Sequence, residues 1–127
     1  MERFVVSGHS PYEPVVGFSR AVRAGDRVCV AGTAPIPAEG DPPEGAYEQA
    51  RLCLEIIGDA LDRAGSSLAD VVRTRIYLTD VADWQEVARA HGELFAEIRP
   101  AATAVVVAAL LDPRWRVEIE AEAMAAR

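Results

Sequence analysis

One run of eight residues, TAVVVAAL at 103–110, is apolar on both faces of the strand that it is expected to form. Side chains of a strand point alternately to its two faces, so a strand of this kind must be buried on both. Helices packed on a sheet can cover only one of them. The simplest cover for the other face is a second copy of the same sheet, and the run therefore predicts a homo-oligomer.

Two amphipathic helices are predicted from apolar residues that recur with helical spacing. The first runs from Ala46 to Ala64 and ends at Gly65, a residue suited to a left-handed cap. The second runs from Trp84 to Ile98, with a capping box opened by Asp83 and a stop at Pro100. One face of each helix is expected to pack on a sheet.

Six segments are predicted as strands, and a turn at Gly25-Asp26 is expected to join the second and third in a hairpin. The strands are Phe4–Val6, Phe18–Val22, Val28–Ala31, Val72–Thr79, Thr103–Leu110 and Arg116–Met124. The order βββαβαββ predicts an α+β, two-layer sandwich with two helices on one face of a mixed sheet. All 127 residues fit a single domain over 1–127.

Alternation in two of these strands predicts which side faces the helices. At 72–79 the inward set is every second residue from Val72, and in the last strand it is every second residue from Val117. Glu118, Glu120 and Glu122 are then left on the opposite face of the last strand. We expect the polar side chains of both strands to share the face away from the helices.

The composition excludes several classes of function. No lysine occurs in the chain, which excludes a Schiff-base lysine and covalently bound pyridoxal phosphate, and no cofactor is expected. A formal net charge of -7 without a basic stretch makes nucleic acid an unexpected partner. The two distant histidines and the absence of clustered carboxylates predict no metal site.

Neither cysteine suggests redox chemistry, because Cys29 and Cys53 lie in apolar surroundings without C-x-x-C spacing. Both are predicted to be small core residues. No stretch approaches the roughly 18 apolar residues of a membrane helix, and MERFVVSGHS has neither the basic start nor the apolar centre of a signal peptide. We therefore expect a cytoplasmic protein without a membrane partner.

Four segments, taken in their order, resemble one family. AGTAPIP at 31–37, AGSSLADVVRTRIYLTDVADW at 64–84, LFAEIRPA at 94–101 and VEIEAEA at 117–123 resemble the Rid (reactive intermediate deaminase, YjgF-type) family over nearly the whole length. The resemblance implies a chorismate-mutase-like fold, a homotrimer with a central barrel, and small-molecule pockets in the clefts between subunits.

At the active site, however, the sequence departs from the family pattern. Active members of the family hold a substrate carboxylate with the arginine of a P-A-R segment and position water with a glutamate of the last strand. Here Ala102 stands in place of that arginine, Phe18 in place of a tyrosine and Arg20 in place of a glutamine. Gly32 and Glu118 match the family residues, so the chain resembles a branch that lacks the arginine.

Glu118 is the candidate catalytic residue, because a glutamate there could orient a water or accept a proton. The alternative is a cross-strand ion pair with Arg73 or Arg75, which share its face. Arg20 and Arg75 are the candidates to replace the missing arginine as a carboxylate ligand.

Two further candidates for substrate binding each have a structural alternative. His91, where the family has a tyrosine, titrates nearest neutral pH, but a packing histidine is favoured on this stripe of the second helix. Thr33 could offer its hydroxyl to a ligand or could be an ordinary turn residue.

Two function classes follow. One is a protein that hydrolyses a small imine or enamine with Glu118 holding the water, with weak activity on simple 2-imino acids. The other is a non-catalytic paralogue that binds a metabolite, or that acts as a regulatory or chaperone-like partner. Ribonuclease activity is the least favoured, because the chain is acidic.

Overall fold

The computed structural model describes residues 2–125, so Met1, Ala126 and Arg127 of the predicted domain lie outside the described residues. Six strands and two long helices follow the predicted order βββαβαββ. They are β1 (Arg3–Val6), β2 (Ala21–Ala24), β3 (Arg27–Thr33), α1 (Ala46–Arg63), β4 (Val71–Leu78), α2 (Trp84–Phe95), β5 (Ala101–Val106) and β6 (Val117–Met124). Shorter helical turns lie at Glu13–Gly17, Leu68–Asp70 and Val81–Asp83.

All six strands form one mixed sheet in the order β1-β2-β3-β6-β4-β5. The β2–β3 hairpin closes through Gly25, whose positive φ of 62° a glycine adopts without strain, and this confirms the predicted turn. β4 and β5 are parallel and joined through α2, while β6 runs antiparallel between β3 and β4. The predicted α+β sandwich with two helices on one face is confirmed.

The core lies between the helices and one face of the sheet. Alternate residues of β6 are buried there, from Val117 to Ala123, and the glutamates between them are half-buried on the other face. α1 supplies the opposite side of the core through Leu54, Ile57 and Leu61, none of which is exposed to solvent. The alternation predicted for the last strand is confirmed.

The start of β4 differs from the prediction. Thr74, Ile76 and Leu78 face the core as expected, but Val72 is exposed and Val71 is buried instead. A register shift relative to β6 lies between Val71 and Arg73. Such a bulge moves the side chains before it to the opposite face, which a period-two pattern alone cannot show.

Three local predictions were wrong. β2 begins at Ala21 rather than Phe18, because Glu13–Gly17 forms a π-helical turn that ends at Gly17 with a φ of 91°. Cys29 is exposed on β3, whereas Cys53 is buried as predicted. Asp83 caps no backbone amide of α2; its carboxylate accepts from Arg116 Nη1 at 3.2 Å.

β5 lies at the edge of the sheet and covers 101–106 rather than 103–110. All six of its residues are exposed in the single chain, including Val105 and Val106. An exposed apolar edge strand is a site of association with another chain. Both faces of β5 are therefore open in the single chain. This agrees with the prediction that another element must cover the strand.

The packing of β3 generates a stability prediction. Val28 has no exposed surface, whereas Val15 is 84% exposed, so the two valines form a matched pair. We expect Val28→Ala to lower the free energy of unfolding by roughly 2 kcal/mol, because two methyl groups are lost and a cavity remains. Val15→Ala should change it by less than about 0.5 kcal/mol. Urea unfolding measures both, and equal effects would contradict this account of the core.

Candidate functional site

A carboxylate and a glycine meet on the sheet face away from the helices. Glu118 lies on β6 opposite Tyr77 of β4, and Gly32 lies on β3 beside it, within the register shift between Val30 and Thr33. A Cβ atom at Gly32 would overlap Glu118 Oε2. Gly32 therefore allows the carboxylate to approach the backbone more closely than any other residue would.

These two residues line an open cleft of about 350 Å³. One wall is acidic and carries a phenol, and the other is apolar. The lining residues are Gly32, Tyr77, Val107, Ala109, Leu110, Glu118 and Glu120. No basic side chain of residues 2–125 lines it, so one chain offers this cleft no cation for a substrate carboxylate.

The Glu118 side chain has neither an ion pair nor a hydrogen bond within residues 2–125. Burial raises its pKa above the ordinary value for a glutamate; the nearby Arg20 charge lowers that pKa, and Glu120 raises it. Because burial is the largest cause, the carboxyl group holds its proton more strongly than an exposed glutamate does. A carboxyl of this kind can accept and return a proton near neutral pH more readily than an exposed one.

The alternative of an ion pair to Glu118 was wrong, because the arginines of β4 use the other glutamates. Arg73 pairs with Glu122, and Arg75 contacts Glu122 at 3.3 Å and Glu120 at 3.8 Å. The hydroxyl of Tyr77 donates to Glu120. Arg75 is thus held beside two carboxylates and does not line the cleft of the single chain.

Arg20 also misses this cleft. It is only 5% exposed, and its Nη2 donates to the carbonyl of Gly32 at 2.8 Å. The guanidinium lies over the ring of Phe18 at 5.5 Å from the centroid. Phe18 lines a neighbouring depression that shares Glu120 with the cleft. Arg20 therefore supports the backbone of Gly32 and does not line the cleft at Glu118 in the single chain.

Thr33 and His91 both have structural partners. Thr33 is fully buried at the end of β3, and its hydroxyl donates to the carbonyl of Ala31 at 2.8 Å, so it lies in a strand and does not reach the cleft of the single chain. His91 Nε2 and Thr74 Oγ1 are hydrogen-bonded at 2.9 Å, and its ring packs on Phe95. Burial lowers the pKa of His91 and so favours the neutral ring. These contacts support the packing alternative.

Ala102 is remote from Glu118 in the same chain. It lies on β5 in register with Thr74, whereas Glu118 is in register with Tyr77, two strands and three residues away. Strand spacings give a separation of roughly 14 Å. The predicted cleft containing both residues cannot form within one chain, so Ala102 could join Glu118 only from another copy.

Sequence reasoning missed part of this cleft. Tyr77 and Glu120 line it, and both stand on the polar face that the alternation of β4 and β6 had defined. Only the register between the two strands could have placed Tyr77 opposite Glu118. The apolar wall comes from the second half of TAVVVAAL, which continues beyond β5 without regular secondary structure and bends at Ala108.

Residues 2–125 hold neither a metal-ligand cluster nor a membrane-spanning helix. No group of three or more histidine, cysteine, aspartate or glutamate side chains in this range is arranged to hold a metal ion. Neither of the two long helices, nor any shorter one in the same range, has the length and apolar character needed to cross a membrane.

The chain belongs to the Endoribonuclease L-PSP family, which it matches over residues 6–125. This confirms the predicted Rid (YjgF-type) membership. Among curated relatives, SCO2049 of Streptomyces coelicolor is 43% identical over 126 residues, covering 95% of this chain and 90% of that protein. A RutC family protein of Pyrococcus abyssi is 36% identical over 127 residues, covering 98% of each.

Solved structures share the fold. Rv2704 of Mycobacterium tuberculosis, a member of the YjgF/YER057c/UK114 family, is 46% identical with a TM-score of 0.90, covering 98% of this chain and all of that chain. TdcF of E. coli, solved with bound serine, is 26% identical with a TM-score of 0.82, covering 96% of this chain and 94% of its own. The chorismate-mutase-like architecture is thereby confirmed.

The charges around Glu118 generate a prediction for its titration. Arg20→Gln should raise the pKa of Glu118, because it removes the cation that favours the carboxylate, and Glu120→Gln should lower it, because it removes a like charge. The side-chain carboxyl ¹³C shift followed against pH measures both. Glu93 on α2 is the internal reference, since Tyr47 lowers its pKa and it shares no partner with Glu118 or Glu120. Shifts of the same sign in both variants would contradict this electrostatic account.

Proposed function

We propose that three copies of the chain assemble and that each cleft at Glu118 is completed by a neighbouring copy. The open β5 edge supports this, because its exposed valines need a partner. The distance between Ala102 and Glu118 supports it too, since the two positions that the family resemblance places in one site can meet only between copies. The number of copies, three, is what the family resemblance implies.

The cleft binds a small metabolite and hydrolyses a C=N bond in it. The observation that carries this proposal is the Glu118 carboxyl group, half-buried, free of ion pairs within residues 2–125 and held against Gly32. Water placed by Glu118 adds through its oxygen to the imine carbon while the carboxylate takes a proton. That proton passes to nitrogen and gives a carbinolamine. The carboxylate then carries the hydroxyl proton to nitrogen as the C=O bond forms and the C–N bond breaks, so that ammonia leaves a carbonyl product.

The preferred substrate is an imine or enamine without a carboxylate. Glu118 and Glu120 make the cleft acidic, and Val107, Ala109 and Leu110 make its other wall apolar. A substrate carboxylate would meet like charge there and no arginine at Ala102. TdcF, 26% identical to this chain, was solved with bound serine, which supports a small polar ligand.

A non-catalytic metabolite-binding protein is the second candidate, and the alanine at 102 favours it. Without an anchoring cation the substrate is held less firmly, and misplacement by about an ångström can cost a hundred-fold in rate. Such a paralogue would bind the same ligands without turnover. RNA cleavage is not favoured, because the formal net charge is -7 and phosphate binding requires basic side chains.

The assembly is tested by light scattering coupled to size exclusion. We expect three times the chain mass of 13.7 kDa. Val105→Glu, which places a charge on the exposed edge strand, should dissociate the trimer, while Val15→Glu on another exposed surface should not. A stable monomer of the unaltered chain at micromolar concentration would refute the proposed cleft.

The activity is tested with 2-iminobutyrate, generated by a threonine dehydratase in a non-nucleophilic buffer. We expect slow hydrolysis by the unaltered protein and roughly ten- to a hundred-fold faster hydrolysis by Ala102→Arg, because a charge-assisted contact to a carboxylate contributes about 1.5 to 3 kcal/mol. Ala101→Arg, the neighbouring residue on the same strand, is the matched control and should gain nothing.

Glu118→Gln should abolish the hydrolysis gained by Ala102→Arg. Hydrolysis by the unaltered protein at the rate of an arginine-bearing relative would show that the cleft handles carboxylates without the arginine. Ligand binding by Ala102→Arg without turnover would favour the non-catalytic candidate.

A further inference from the structure

Three of the residues that line the cleft at Glu118 have polar side chains, and they are Glu118, Tyr77 and Glu120. Tyr77 of β4 lies in register with Glu118 of β6, and Glu120 follows two residues later on the same face of the sheet. Directly opposite residues of an antiparallel pair have Cα atoms roughly 4.5 to 5.5 Å apart. The phenol and the Glu118 carboxyl group therefore stand side by side in one cleft.

The proton of the Tyr77 hydroxyl is already engaged, because the hydroxyl donates to Glu120 Oε1. This hydrogen bond is the main cause that raises the pKa of Tyr77 above its ordinary value, so the phenol keeps its proton at neutral pH. The phenol oxygen retains lone pairs, and donation to a carboxylate makes that oxygen a stronger acceptor. Tyr77 therefore offers the cleft an acceptor and no donor.

The two carboxylates of the cleft differ in what they already contact. Glu120 accepts from Tyr77 with one oxygen, and its other oxygen lies 3.8 Å from Arg75 Nη1. Arg75 itself does not line the cleft, and the Glu118 side chain has no hydrogen-bond or ion-pair partner within residues 2–125. The side chains that line the cleft of the single chain thus supply free acceptors on Glu118 and Tyr77, and no free donor.

We propose that Tyr77 holds the substrate nitrogen as a hydrogen-bond donor, and that the cleft therefore selects imines and enamines whose nitrogen carries hydrogen. The substrate N–H donates to the phenol oxygen, while Glu118 places water at the adjacent carbon. Glu120 is a positioning residue, because it keeps the phenol proton turned away from the substrate. This inference rests on the function proposed for the cleft, since it assigns a further residue to the same site.

Substitution on the substrate nitrogen decides whether it fits beside Tyr77. A neutral N-alkyl imine has no N–H, so its nitrogen lone pair would face a lone pair of the phenol oxygen. A carboxylate oxygen meets the same mismatch. A site that is built to hydrogen-bond an N–H discriminates strongly against an analogue without it, because its own polar group is then left unpaired. The cleft thus favours substrates that release ammonia over substrates that release an alkylamine.

Binding is tested by titrating the full chain with butanamidinium and with butanoate, which share their chain length and a planar head group. The amidinium has only N–H donors, and the carboxylate has only acceptors. Calorimetry and amide NMR shifts should show saturable binding of butanamidinium with a dissociation constant on the order of millimolar. Butanoate should bind at least about tenfold more weakly. Equal binding of the two ligands, or no saturable binding of butanamidinium, would overturn the proposal.

A pair of tyrosine variants tests the contact with the phenol oxygen. Tyr77→Phe keeps the ring and should weaken butanamidinium binding roughly tenfold. Tyr47→Phe is the matched control and should leave binding unchanged, because Tyr47 also donates to a glutamate, Glu93, but lies on α1 outside the cleft. In the unaltered protein, a nuclear Overhauser effect should join the Tyr77 ring to the ligand chain. Its absence, or unchanged binding by Tyr77→Phe, would contradict the role of Tyr77.

Turnover separates substrate contact from support of the fold. In the Ala102→Arg protein the new arginine holds the carboxylate of 2-iminobutyrate, so adding Tyr77→Phe should lower kcat roughly tenfold and leave KM nearly unchanged. A variant that merely disturbs the cleft would raise KM as well. Unchanged kcat would overturn this inference, while the hydrolysis assigned to Glu118 would stand. If Ala102→Arg hydrolyses nothing, yet Tyr77→Phe still weakens butanamidinium binding, the proposed hydrolysis fails and the contact with Tyr77 is supported.

Discussion

The alternation along β6 decides on which side of the sheet each part of the protein lies. Val117, Ile119, Ala121 and Ala123 face the helices and form the centre of the core, and the glutamates between them face the other way. Because β6 pairs with both β3 and β4, its register also places Gly32 and Tyr77 around Glu118. A shift of one residue would bury three carboxylates and expose the core, so folding and site geometry depend on the same pairing.

The strand and helical periods of the apolar residues were enough to predict the order of the elements, because these periods reflect burial on one side of a two-layer fold. They failed where the backbone departs from regular geometry. Because of the bulge in β4, Val71 is buried and Val72 is exposed, the reverse of the prediction. The π-helical turn before β2 moves the start of that strand to Ala21. Cys29 follows the alternation of β3 onto the uncovered face, so an apolar neighbourhood in sequence did not mean burial.

The candidate site was predictable only in part, because its residues come from distant segments. The family resemblance identified Glu118 and Gly32, and the structure brings them into contact. Arg20 and Arg75 were reasonable by residue type, yet each is engaged by a partner that depends on tertiary contacts: a carbonyl of β3 for Arg20 and carboxylates of β6 for Arg75. Thr33 is instead buried at the end of β3. No spacing in the sequence shows which of several arginines meets which of several glutamates.

Arg20 interacts electrostatically with both Glu118 and Glu13. Its charge lowers the pKa of Glu118, and its own pKa is lowered by burial and raised by Glu13 and by Glu118. One buried cation therefore serves two carboxylates. Since Glu13 also draws on that charge, the cation compensates Glu118 only in part, and burial remains the dominant influence on its proton affinity. The chemistry available to Glu118 thus depends on Glu13, which does not line the cleft at Glu118.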